Sequence, residues 1–106
     1  MTWPPGEHPL PIGDKGDEIR VRVWYARHEV VDFSVQLVTL VSGEFRPVAR
    51  YDCSHGSAPH RDILDWNGGT VRQTQMRPGI SFHEAFDEAI DELLANWPRY
   101  IDDFHR

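Results

Sequence analysis

Between residues 19 and 76 apolar and polar positions alternate with a period of two in four separate stretches, and after residue 81 the period becomes that of a helix. The first stretch places Ile19, Val21, Val23 and Tyr25 on one side and Arg20, Arg22 and Trp24 on the other, which predicts a half-buried strand. A turn at Arg27-His28-Glu29 leads into Val30 to Val41, where Val31, Phe33, Val35, Leu37, Thr39 and Val41 share a face. Ser42-Gly43-Glu44 has the length of a hairpin loop. The third strand is predicted over Phe45 to Cys53, with Pro47 marking an edge or a bulge. Periodicity stops from Ser54 to Gly69, and a short fourth strand covers Thr70 to Met76. Ser81, with Glu84 three residues on, reads as a capping box. Phe82, Ala85, Phe86, Ala89, Ile90, Leu93, Leu94 and Trp97 then recur at helical spacing. Pro98 predicts a kink or break, followed by a short second helical piece carrying Tyr100, Ile101 and Phe104.

The pattern therefore predicts one α+β domain over residues 18–106, a small four-stranded antiparallel sheet with a C-terminal helix packed on one face. Residues 1–17, with Pro4, Pro5, Pro9 and Pro11 and three glycines, read as a tail. A length of 106 residues suits one core, and the lone Cys53 cannot form an internal disulfide. No apolar run approaches the length needed to span a bilayer and the N-terminus lacks the basic and apolar regions of a signal peptide, so the expectation is a soluble cytoplasmic protein without a membrane partner.

The net charge of −6 excludes a uniformly basic nucleic-acid coat. Its distribution matters more than its size. Residues 81–106 hold seven acids against two arginines, whereas residues 19–80 hold eight arginines against six acids. Local recognition of phosphate by arginine therefore stays open.

One helix leaves one sheet face bare. That face carries Arg20, Arg22 and Trp24 and, depending on register, either Arg50 with Asp52 or Tyr51 with Cys53. Arginine interleaved with an aromatic ring on an open sheet suits single-stranded nucleic acid, with guanidinium on phosphate and the ring under a base. The plainer reading is a solvated face whose arginines pair with Asp32 and neighbouring acids.

The densest cluster of reactive side chains is Arg50-Tyr51-Asp52-Cys53-Ser54-His55-Gly56, followed by His60-Arg61-Asp62. His55 and His60 can act as an acid/base pair, because imidazole titrates near neutral pH. Arg50 and Arg61 would then stabilise phosphate, with Asp52 and Asp62 orienting the imidazoles, a set suited to RNA cleavage without metal or other cofactor. Asp52, His55, His60 and Asp62 also form a mixed nitrogen and oxygen donor set, although the spacing fits no standard zinc pattern. The remaining alternative is a loop whose Asp and His side chains cap turns.

The segment Val48-Ala49-Arg50-Tyr51-Asp52, then His55-Gly56, then His60-Arg61-Asp62, ahead of a C-terminal helix, resembles the TumE-type toxins of bacterial toxin–antitoxin pairs. The resemblance spans roughly residues 19 to 104 and departs from the pattern in the Pro-rich head, Cys53-Ser54 and Asp65-Trp66. It implies a toxin neutralised by a helix-turn-helix antitoxin, with Arg50, Asp52, His55, His60 and Asp62 as site residues. The competing expectation is a non-catalytic module that docks a protein through its acidic helix or an open sheet edge. Separately, the short fourth strand leaves an edge that can pair across a homodimer.

Overall fold

In the computed structural model, which describes residues 3–53 and 56–106, six strands form a single antiparallel sheet in chain order. They are β1 (Gly6–Ile12), β2 (Asp17–Ala26), β3 (Glu29–Val41), β4 (Glu44–Asp52), β5 (His60–Leu64) and β6 (Thr70–Gln75), followed by the helix α1 (Phe82–Phe104). The expected α+β class and the C-terminal helix are present, but the sheet has two more strands than expected.

The first addition is β1, which lies in the expected tail. Its prolines remove amides, yet an edge strand bonds on one side only and tolerates their loss. Gly6 to Ile12 pairs with Val23 to Asp17 along its whole length. The second addition is β5, where His60 to Leu64 pairs with both β4 and β6. Strands β1 and β6 are thus the two edges.

Alternation decides which face is buried. Ile19, Val21 and Val23 of β2 and Phe33, Val35 and Leu37 of β3 are all buried beneath α1, which contributes Ala85, Phe86, Ala89, Ile90 and Leu93 to the same core. Burying each large apolar side chain contributes roughly 1.5–3 kcal/mol. The rings of Phe33 and Phe86 meet edge to face at 5.7 Å. Two register shifts alter the expected pattern. The pairing slips between Trp24 and Tyr25, so Val30 turns inward and Val31, expected inside, is exposed. The slip between Leu37 and Val38 makes Val48 an extra residue in β4, and Val48 and Ala49 are both buried.

Helix α1 begins as expected. The Ser81 hydroxyl accepts a bond from the Glu84 amide at 3.1 Å and lies 3.0 Å from the Glu84 carboxylate. It does not break at Pro98 but runs through it to Phe104. The proline withholds one amide, while Tyr100 and Phe104 continue the buried stripe and hold the final turns in place. Among the described residues no helix is long and apolar enough to cross a membrane.

Candidate functional site

Residues directly opposite one another in an antiparallel sheet project to the same side. The pairings therefore define two rows on the face that α1 leaves bare. One runs Pro9, Arg20, Gln36, Arg50, Asp62, Gln73, and the next runs Glu7, Arg22, Ser34, Asp52, His60, Gln75. This register resolves the alternative left by the sequence: Arg50 and Asp52 share the open face with Arg20 and Arg22, while Tyr51 faces the helix. Trp24 stands one alternation beyond Arg22, opposite Asp32, and is 46% exposed.

The two rows border a groove of about 730 Å³, lined by Glu7, Glu18, Arg20, Arg22, Ser34, Gln36, Arg50 and Asp52 among others. The arginines are not equivalent. Arg20 Nε donates to Glu18 at 3.1 Å and its guanidinium lies over the Phe45 ring at 4.5 Å. Arg22 donates to Asp32 at 3.1 Å. Arg50 Nε donates to the neutral Gln36 amide oxygen at 3.0 Å and forms no ion pair among the described residues. Among the described residues Arg50 is thus the groove arginine without an ion-pair partner, although Asp62 stands directly opposite it in β5.

At one end of the groove β4 and β5 bring Asp52, His60 and Asp62 together. His60 Nε2 lies 3.0 Å from Asp52 Oδ1 and 3.6 Å from Asp62 Oδ2. On the other side of the ring, Nδ1 is 2.9 Å from the Ala58 carbonyl oxygen. A carbonyl can only accept, so Nδ1 carries a hydrogen. Gln73 Nε2 donates to Asp62 Oδ1 at 2.9 Å. Neither Gln73 nor the Ala58 carbonyl could be singled out from residue type or spacing, since both contacts depend on β5 being a strand.

His55 lies outside the described residues, so the expected His55–His60 pair has no described geometry. Arg61 departs from the expected cluster. It alternates away from His60 and Asp62 to the helix side, where Arg61 Nη1 donates to the Tyr100 hydroxyl at 3.1 Å. The Tyr51 and Tyr100 hydroxyls both donate to Glu92 Oε1, at 2.6 and 2.5 Å. Burial first, then the hydrogen bond to the Glu92 carboxylate and its charge, push both phenols above the ordinary tyrosine range. Cys53 is buried on the same side, and burial pushes its thiol up, away from nucleophilic use.

The chain belongs to the family described as Domain of unknown function (DUF7718). The match covers residues 9–106, which takes in most of β1 and every other element. No curated protein and no solved structure matches the chain. All of the groove arginines, together with Asp52, His60, Asp62 and Gln73, fall inside the matched span of this DUF7718 domain.

Proposed function

We propose that the protein binds single-stranded RNA across the open face of its sheet and acts on it as a toxin-like protein, in keeping with the resemblance to TumE-type toxins. The observation that supports this reading is Arg50, a guanidinium in the groove without an ion-pair partner among the described residues, on the same sheet face as the exposed Trp24, which lies beyond the groove lining. Arg50 would hold a backbone phosphate through charge-assisted bonds, and Trp24 would stack a base. The same face carries Glu7, Glu18, Asp32, Asp52 and Asp62 against three arginines, which favours contact at a few phosphates over coating a polyanion. Cleavage would take place at the Asp52–His60–Asp62 end, and a helix-turn-helix antitoxin would be the neutralising partner.

Fluorescence anisotropy with a labelled single-stranded RNA oligonucleotide tests this. Trp24→Ala should weaken binding about 5- to 100-fold, from the ~1–3 kcal/mol of one stacked base, and Arg50→Ala should lower both affinity and salt dependence. Wild-type affinity equal to that of both variants would sink the reading. The second reading, a protein-docking module, is favoured by β6, an edge strand whose six residues are all exposed. A pulled-down protein partner that depends on β6 and not on Arg50 would favour it.

A further inference from the structure

We infer that Asp52, His60 and Asp62 form a binding site for a divalent transition-metal ion such as Mn²⁺, Co²⁺ or Zn²⁺. One donor atom from each residue lies within 4.8 Å of the others. Both aspartates are only 7% exposed, which makes two adjacent carboxylates costly unless a positive charge sits between them. The orientation of the ring supplies the second argument. Because Nδ1 donates to the Ala58 carbonyl, Nε2 is the atom presented to both carboxylates. An imidazole whose far nitrogen is fixed by a carbonyl and whose near nitrogen converges with two carboxylate oxygens has the disposition of a metal-bound histidine.

The carboxylates are disposed in the same way. Asp62 gives Oδ1 to Gln73 and turns Oδ2 to His60. Among the described residues Asp52 accepts no hydrogen bond from an amide, hydroxyl or guanidinium, and its Oδ1 lies 3.0 Å from His60 Nε2. One imidazole nitrogen and two carboxylate oxygens suit a borderline ion more than Mg²⁺ or Ca²⁺, which prefer oxygen alone. Three protein ligands leave further positions open, and Asp52 also borders the groove, so those positions are within reach of whatever occupies it. The site coincides with the end of the groove at which the proposed cleavage would take place, but metal binding is measured without RNA, so its failure and the failure of the RNA reading are told apart.

The test is calorimetric titration of the full chain, tag-free and stripped with a chelator, with Co²⁺, Mn²⁺ and Zn²⁺, together with the visible absorption of the Co²⁺ form. The expected result is one ion per chain, a raised Tm, and binding that strengthens as pH rises and the ligands lose protons. His60→Gln and Asp62→Asn should abolish it. Gln73→Ala, an exposed change that leaves the three ligands in place, should weaken it about 10- to 100-fold and keeps the test valid if the other variants misfold. Failure of all three ions to bind the wild type, or binding by His60→Gln as tight as that of the wild type, overturns the proposal and leaves His60 bridging the two aspartates without an ion.

Discussion

Single polar residues in this fold are held by specific partners, and Asp17 shows what losing one costs. It is buried at the start of β2, where Thr39 Oγ1 donates to its Oδ1 at 2.7 Å and the Leu40 amide lies 3.4 Å away. Thr39→Val keeps the shape but removes the donor, so unfolding in urea should show a loss of about 1–3 kcal/mol. Thr39→Ser keeps the bond and should lose only about 1 kcal/mol, the value of one buried methyl. At this scale the sequence was informative about identity and uninformative about grouping. Asp52, His60, Asp62 and Arg50 could all be named as candidates from residue type alone. Arg61 could not be assigned to a face, because the side on which it projects is set by whether His60 to Leu64 is a strand. Once β5 forms, neighbours in sequence point to opposite sides, and Arg61 joins Tyr100 while His60 joins Asp52.

Elements were legible where pattern and composition agreed. Strands β2, β3 and β4 and the start of α1 announce themselves by alternation and by the Ser81 cap. Strand β1 was obscured by its prolines, and β5 by being five residues long with three polar residues at its start. The bulge at Val31 left no trace in the hydrophobic pattern, since a β-bulge adds one residue without changing residue type, whereas the bulge at Val48 adjoins Pro47, where an edge or a bulge was expected. The turn between β1 and β2 joins the sheet to α1 more tightly than its polar composition suggests. Gly13 has φ +62°, and a Cβ there would come within 2.8 Å of the Trp97 ring. Gly13→Ala should therefore lower stability by more than the ~1–2 kcal/mol of the left-handed backbone alone. In thermal denaturation, Trp97→Leu should recover part of the excess, giving a non-additive double-mutant cycle. Gly43→Ala, at φ +82° in open space, should show the backbone cost only.

Across the whole molecule, the two faces of the sheet have different chemistry, and the buried one sets a pH limit. Tyr51 from β4, Tyr100 and Glu92 from α1 and Arg61 from β5 form one hydrogen-bonded cluster that ties the helix to the sheet. Both phenols are held above their unfolded range, so the folded state binds their protons more tightly than the unfolded state. Their contribution to stability is complete below the ordinary tyrosine pKa of about 10 and is lost as pH rises beyond it. Denaturant unfolding followed from about pH 8 to about pH 11 should show this decline, with a shallower slope in Tyr51→Phe/Tyr100→Phe. The edges of the sheet differ as well. Strand β1 carries Pro9 and Pro11, whose missing amides leave its outer side a poor template, whereas β6 presents six exposed residues and no proline. Any association by strand addition is thereby self-limiting: two copies joined through β6 would present only proline-bearing ends, and the continuous sheet would stop at a pair instead of growing into a fibre.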